Sequence, residues 1–312
     1  MHEDGHEDDG LERVRERGQV LRRSARWNVA HALEESGSSS GAQSIHRALI
    51  LLNLVGVMAR DRPGGVALAD LARVSGRPKA SVHRVLGALV QLGFVERVES
   101  TGRYRLGVQS QILGELAGAR TDPIIRSSRA SLIRIAELSE DTTFLTLRQG
   151  SFSICARREE GLGEIRNNAL AVGDRHPLGV GAGSLAILAA LDDAEVEETI
   201  EVNREVLTRH YPRIDAGTLR SLVARSRSQG YSLNEGLGAP GSWAIGVLLH
   251  IPNRPPTAAL SIASIEQRLR GRRREELVTA MKKEVGVIRA ALSTAEEDTE
   301  VSARSTDRRR SS

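Results

Sequence analysis

This sequence predicts a mostly helical N-terminal domain, a joining helix, and a larger C-terminal α+β domain built on an antiparallel sheet. Three observations lead there. At 312 residues the chain has room for about two domains. Residues 44–93 hold successive apolar stripes at helical spacing, separated by Gly-bearing turns and followed by two short β-prone runs. Beyond residue 122, helix-like and strand-like runs mix without the regular alternation that a parallel sheet requires.

The bulk properties narrow the class. No run approaches the roughly 18 uninterrupted apolar residues of a membrane span, so no membrane partner is expected. The start, MHEDGHEDDG, is acidic and polar and lacks the pattern of a secretory signal. Cys155 is the single cysteine, which excludes an intramolecular disulfide and a cysteine-cluster metal site and fits a cytoplasmic location. The net charge of +4 is unevenly spread. Residues 1–42 carry 6 Arg against 9 acids, residues 43–120 carry 11 Lys or Arg against 5 acids, and residues 121–312 carry 27 against 26. The basic excess of the 43–120 segment is the footprint of a nucleic-acid reader. The chain is Arg-rich throughout, with 41 Arg to 3 Lys, but that does not explain the local scarcity of acids.

Taken in order, residues 1–43 read as a flexible extension that closes on the linker SGSSSGA. Residues 44–60 read as a helix capped by Ser44. Ile45, Ala48, Leu49, Leu52, Val55 and Ala59 form one stripe, and Ile50, Leu51, Leu54 and Val57 are apolar as well. A helix apolar on more than one face needs a second partner; a second subunit is the favoured one, the domain core the alternative. A turn at Pro63 and Gly64 leads to a short helix with Leu68, Leu71 and Ala72 inward. A turn through Gly76 then leads to PKASVHRVLGALVQLG, residues 78–93. There Val82, Val85, Leu86, Leu89 and Leu92 share one stripe, while Lys79, Ser81, His83 and Arg84 lie off it. Helix, Gly turn and helix with a polar outer face make a helix-turn-helix. The runs 94–98 and 103–106 around Gly102 read as a hairpin, which makes the unit a winged helix-turn-helix for double-stranded DNA. Lys79, Arg97, Arg103 and Arg105 are candidates for phosphate contacts, and Ser81, His83 and Arg84 for base edges.

Residues 44–107 resemble the DNA-binding domain of IclR-type transcriptional regulators. The resemblance rests on Leu68-Ala69-Asp70-Leu71-Ala72, on Pro78-Lys79-Ala80-Ser81-Val82-His83-Arg84-Val85-Leu86, on Leu92-Gly93-Phe94-Val95, and on Thr101-Gly102-Arg103-Tyr104-Arg105-Leu106-Gly107. Ala67 departs from the family's usual Ser or Thr and removes a helix cap, and Ala80-Ser81 stands where Ser-Thr is frequent. Residues 108–121 then look like the family's linker helix.

In the second half, residues 142–148 and 151–158 read as a hairpin of strands, and 164–172 as a third strand. An apolar helix follows Gly179, Gly181 and Gly183. Residues 194–206 and 215–229 read as helices, 243–251 and 258–262 as apolar strands, 272–292 as a closing helix, and 294–312 as a disordered charged tail. This half also resembles the IclR family, through Val172-Gly173 with Pro177-Leu178, through RSQGY at 227–231, and through Ala259-Leu260-Ser261-Ile262. The resemblance implies a GAF-like effector-binding and oligomerisation domain over residues 122–293. The family often has Gly-Lys where this chain has Ser184-Leu185, and Leu248 stands where some relatives place Cys, so the resemblance implies a less polar pocket.

Gly179, Gly181, Ala182, Gly183 and Ser184 form a glycine-rich loop before a helix. It either cradles a ligand carboxylate on backbone N–H groups or packs the helix closely on the sheet. It is not a P-loop, because no Gly-Lys-Ser/Thr follows. By resemblance Ser232, Asn234, Glu235, Leu248 and Ser261 border the effector pocket, with Ser264 the weakest candidate. Trp243 reads as core before it reads as a ligand stack. Cys155, mid-strand between apolar neighbours, reads as a structural thiol, and His176 has no partner at a catalytic spacing. No catalytic set, metal spacing or cofactor is implied. The expected function is a homodimeric or tetrameric transcriptional regulator controlled by a small effector, an organic acid by resemblance. The rivals are an architectural DNA-binding protein with a ligand-free oligomerisation domain, and an enzyme carrying a vestigial DNA module.

Overall fold

The computed structural model describes residues 42–310 except 61, 119–121, 164–169, 238–240 and 253, with backbone only from residue 295 onward. The expectations for residues 1–41 therefore lie outside the described residues, as does most of the strand expected over 164–172. Packing divides the chain into two compact units, one of residues 42–118 with Val172–His176 and one of the other described residues.

The first unit opens on α1 (Gln43–Ala59). Its N-cap is Ala42, so Ser44 falls inside the first turn and caps nothing, contrary to expectation. Ile50, Leu51, Leu54, Val55, Val57 and Met58 enter the core, while Ile45 and Leu49 stay outside it. The domain's own core thus takes six of the apolar residues and leaves Ile45 and Leu49 as the exposed apolar remainder of the helix. The apolar positions at 50, 51, 54, 55, 57 and 58 form the wide stripe that enters this core. Helix α2 (Leu68–Ser75) starts after Ala67, which forms no side-chain cap, and stops at Gly76 in the left-handed region, φ +64°. Helix α3 (Lys79–Gln91) follows, with Pro78 as its N-cap residue and not as its first helical residue. It buries Val82, Leu86 and Leu89 against α1 and α2.

Strands β1 (Val95–Arg97) and β2 (Tyr104–Leu106) form the wing, in the register Val95 with Leu106, Glu96 with Arg105 and Arg97 with Tyr104. Val95 and Tyr104 point into the core. Alternation therefore turns Glu96 and Arg105 to the outer face. Helix α4 (Val108–Gly118) comes next and buries none of its large apolar residues; Val108 and Leu116 are 66% and 67% exposed.

The second unit begins with α5 (Pro123–Ser139), whose N-cap Asp122 accepts from the Ile124 N–H. Strands β3 (Thr142–Gln149) and β4 (Phe152–Glu159) follow, and then β5 (Arg175–Pro177), of which Pro177 belongs to this unit and Arg175 and His176 group with the first. After them come α6 (Ala182–Ala189), α7 (Asp193–Val202), α8 (Arg204–His210) and α9 (Ala216–Gln229). The single helix expected over 194–206 is thus two, broken at Asn203, whose side-chain amide donates to the Ser151 and Thr199 carbonyls. Strands β6 (Ser232–Glu235), β7 (Ser242–Leu248) and β8 (Ala258–Ile265), a 3-10 turn (Glu266–Leu269) and α10 (Gly271–Arg310) complete the unit.

The sheet order is β5-β4-β3-β8-β7-β6, with the neighbours from β4 to β6 antiparallel. Its Leu145, Ile245, Val247, Leu260 and Ile262 face packs on α5 and α10 through Leu132, Ile135, Leu277, Met281 and Ile288. The opposite face, with Thr146, Gly246 and Ser261, takes α6. The backbone of α10 stays helical to Arg310, where the sequence suggests a disordered tail from 294. No Gly or Pro occurs between residues 287 and 310 to stop it.

One polar knot ties the ends of this unit. Asp141, buried after the left-handed Glu140, accepts from the Ser264 hydroxyl and from Arg268 Nε. Arg268 and Arg273 both donate to the Ser139 carbonyl at the end of α5. Burial pushes the Asp141 carboxyl up, and Ser264 and Arg268 oppose that push. Ser264, considered as a pocket residue from sequence, is a structural partner of Asp141.

Candidate nucleic-acid interface and effector site

Helix α3 presents two chemically distinct sides. Lys79, His83 and Arg84 are exposed on the side opposite Val82, Leu86 and Leu89, with Ser81 half-buried between them. The exposed strip continues through Gly87, Ala88 and Gln91. Small residues there let the helix backbone lie close to a flat partner. Arg97 and Arg103 are exposed on the wing. The Arg97 guanidinium lies over the wing turn, since a Cβ added to Gly102 would stand 3.4 Å from its Nη2.

Arg105 differs from the other two. Its Nε and Nη2 donate to the Glu96 carboxylate at 3.2 and 2.9 Å, which raises the guanidinium pKa further. The arginine that the sequence assigns to phosphate is therefore already held across the wing. Glu96 escaped attention at the sequence level. The inward pair Val95 and Tyr104 was the signal for it, because alternation then sets Glu96 opposite Arg105.

In the second unit the loop glycines have different reasons. Gly181 is the N-cap of α6 at φ +88°, and a Cβ there would meet nothing within 4 Å. Gly179, at φ +100°, is hemmed in by Leu188 and Leu219. At Gly183 a Cβ would stand 2.7 Å from the Thr146 hydroxyl and 3.2 Å from that of Ser261. Across the contact, a Cβ on Gly246 would come within 2.5 Å of the Ala182 carbonyl. Two glycines thus let the first turn of α6 lie directly on β3, β7 and β8. All eight α6 residues are buried, and among the described residues no side chain caps its first N–H groups. An uncapped, enclosed N-terminus carries partial positive charge toward whatever lies before it.

The predicted polar set is divided. The Ser184 hydroxyl accepts from the Gly179 N–H at 2.8 Å and donates to the Pro177 carbonyl, so it folds the loop. The Ser232 hydroxyl donates to the Ala182 carbonyl at 2.6 Å, fastening α6 to β6. Asn234 accepts from the Leu237 N–H through Oδ1. Ser261 is buried on the α6 side, and Leu248 is half-buried on the same face of β7. Glu235 stands apart: it alternates to the other face from Ser232 and Asn234 and pairs with Arg225 at 2.6 Å. Thr146 was not foreseen, although TTFLTL alternates and sets it beside Phe144, opposite Leu145 and Leu147.

Other candidates resolve simply. Trp243 packs on the α5 and α10 side, with the Arg270 guanidinium 5.6 Å from its ring centroid. Cys155 is buried and donates weakly to the Arg157 carbonyl. His176 lies on β5 and not in a loop, and burial lowers its pKa to about 4. Among the described residues no group of three or more His, Cys, Asp and Glu is disposed to hold a metal ion, and no helix is long and apolar enough to cross a membrane.

Comparison with known proteins bears on both units. Residues 44–99 match the IclR helix-turn-helix domain, and residues 118–289 match the bacterial transcriptional regulator IclR C-terminal domain. The chain belongs to the IclR family. Its relatives include the HTH-type transcriptional regulator KipR of Bacillus subtilis (strain 168), 27% identical over 226 residues that span 72% of this chain and 87% of that one. A crystal structure of an IclR transcriptional regulator from Silicibacter sp. TM1040 superposes with a TM-score of 0.64 at 26% identity, covering 79% of this chain and 95% of the other. An IclR homologue from Microbacterium hydrocarbonoxydans, crystallised with 4-hydroxybenzoate, gives 0.62 at 23%, covering 80% and 99%. These IclR-family relatives are transcriptional regulators, and this chain is a regulator and not an enzyme. Where the family often has Gly-Lys, the IclR chain described here uses Ser184 to fold its loop and buries Leu185 completely.

Proposed function

We propose that this protein binds double-stranded operator DNA sequence-specifically as a homodimer or tetramer, and that a small carboxylate sets its operator affinity. The observation that carries the DNA reading is the outward row Lys79, His83 and Arg84 on a helix whose other side is buried. In this reading α3 enters the major groove, with Ser81, His83 and Arg84 toward base edges. Lys79, Arg97 and Arg103 anchor phosphates. A second copy covers Ile45 and Leu49 on α1 and Ile112, Leu113 and Leu116 on α4, which the described residues leave exposed. Two-fold pairing presents the α3 helices to half-sites about 34 Å apart or a multiple of that.

The effector reading rests on the enclosed, uncapped N-terminus of α6. Its Ala182 and Gly183 N–H groups, reached past the open side of Gly181, suit a carboxylate. Thr146, Asn234 and Ser261 supply polar contacts and Leu248 an apolar wall. That a structural relative holds 4-hydroxybenzoate supports a carboxylate of this size. A ligand shifts operator affinity only by its preference for one of two protein arrangements.

The test has two readouts. DNA fragments captured by the purified protein are sequenced, and operator affinity is measured with and without 4-hydroxybenzoate and a set of aliphatic carboxylates. A ligand at about 100 times its Kd raises stability by about 2.7 kcal/mol. Tight operator binding that no carboxylate changes, with no thermal shift, overturns the effector reading and leaves an architectural DNA-binding protein.

A further inference from the structure

The wing carries three arginines, but they are not equivalent. Arg97 and Arg103 are exposed, whereas Arg105 is clasped in a two-point contact by Glu96 from the paired position on the neighbouring strand. Both side chains of the pair are about half exposed, at 48% and 49%, on the outer face of the hairpin. Neither touches the core, which takes Val95 and Tyr104 instead. The strands fix this geometry: the Val66 and Tyr104 backbones bond to each other, and the Val98 N–H bonds to the Arg103 carbonyl, closing the turn beside the pair.

An exposed ion pair of this kind contributes little to folding. Its electrostatic consequence for a polyanion is larger. A guanidinium whose two best-aligned donors are spent on a carboxylate has fewer to offer a phosphate, and the carboxylate itself repels the backbone. Phosphate contacts supply sequence-independent affinity, so suppressing one lowers binding to operator and non-operator DNA alike and lowers its salt dependence. This inference rests on the DNA-binding reading given above. We propose that Glu96 tunes the sequence-independent part of DNA affinity: by holding Arg105, it withholds one cationic contact from the DNA backbone and keeps that affinity and its salt dependence low. Phosphate anchoring by the wing falls to Arg97 and Arg103.

The experiment measures the affinity of the full chain for its captured operator and for a random duplex of equal length, each over about 50–200 mM salt. The variants are Glu96→Gln, Arg105→Ala and the double variant. Glu96→Gln keeps the size of the side chain, removes its charge and replaces one of the two acceptor oxygens that hold Arg105 with an NH2 donor. It is expected to steepen the salt dependence of random-duplex binding by about 0.9 in log–log slope. It should also tighten that binding about three- to tenfold at the low-salt end, and operator binding by a similar factor. Arg105→Ala alone is expected to leave the slope near the wild-type value. In the double variant the added slope should vanish and only the smaller affinity gain from removing the carboxylate's repulsion should remain, which identifies Arg105 as the released contact.

A Glu96→Gln protein with unchanged slope and unchanged random-duplex affinity overturns the proposal. So does a full unit of slope lost in Arg105→Ala with Glu96 intact, because Arg105 would then already be on phosphate. Melting temperatures within about 2 °C of wild type would show that the variants fold alike. Wild-type protein that binds neither duplex overturns the DNA-binding reading and this inference together. Operator binding with an unresponsive Glu96→Gln variant overturns the inference alone.

Discussion

Helices α3 and α6 both begin without a side-chain cap, yet they serve opposite ends. Of its 13 residues α3 buries Val82, Leu86 and Leu89, while α6 buries all eight. A surface that reads another molecule's surface must stay outside, so its helix keeps a phase that separates polar from apolar. On the effector reading proposed above, a helix that offers only its N-terminus to a ligand needs no polar side. It needs glycine at the start and a sheet that lets it come close.

The sharpest break in that comparison comes from adding one methyl group. Gly246→Ala forces a Cβ to within 2.5 Å of the Ala182 carbonyl and of the Ser232 hydroxyl that holds it. It is expected to destabilise the protein by about 3 kcal/mol or more, read by chemical or thermal unfolding. An unfolding midpoint equal to wild type would mean that α6 is free to lift from the sheet. Next is an effect of pH on the buried segment leading into α6. His176 has a folded pKa near 4 against an ordinary value of 6.5, because burial disfavours the charged form. The unfolded chain therefore takes up the proton first as pH falls. Stability from this group is complete above about 6.5 and is lost progressively toward 4, by up to about 3 kcal/mol. His176→Gln should flatten that part of the stability profile; an unaltered profile would remove His176 from the account.

The exposed helix gives smaller, functional effects. Arg84→Ala is expected to weaken operator binding by about 1–3 kcal/mol and random-duplex binding by much less. Equal losses on both would turn Arg84 into a phosphate contact. The smallest effect should have the opposite sign from the first. Gly87 lies mid-helix in α3 with nothing within 4 Å of an added Cβ. Gly87→Ala should therefore stabilise the fold by up to about 1 kcal/mol. Loss of DNA binding in that stable variant would mean that the helix backbone touches the DNA at Gly87.

The same contrast explains what could be read from sequence. The turn at Gly76, the two-sided α3 and the wing around Gly102 each leave a local pattern, and each stands at its expected residues. In α1 the pattern was ambiguous because apolar residues surround it, and only packing decides that Ile50, Leu51 and Leu54 go inward. Helix α6 is uniformly apolar and has no phase. Its glycines were legible, but not whether they face a ligand or a strand. That depends on Thr146, Gly246 and Ser261, which come from strands distant in sequence. Ser232, Ser264 and Glu235 fell into the same gap: a hydroxyl or carboxylate near a pocket in sequence order says nothing about which backbone or arginine claims it.

The centre of the second unit's sheet is the pairing of β3 with β8, which joins Thr142 to Ala263 and Leu147 to Ala258. During synthesis on the ribosome, the strand that closes this centre emerges long after α1 to α4 have left the exit tunnel. At about 5–20 residues per second the interval is about 7–28 seconds. The helices and wing of the first unit close largely on neighbours in their own stretch of chain. For that interval a nascent chain carries a complete DNA-reading module and no finished sensor.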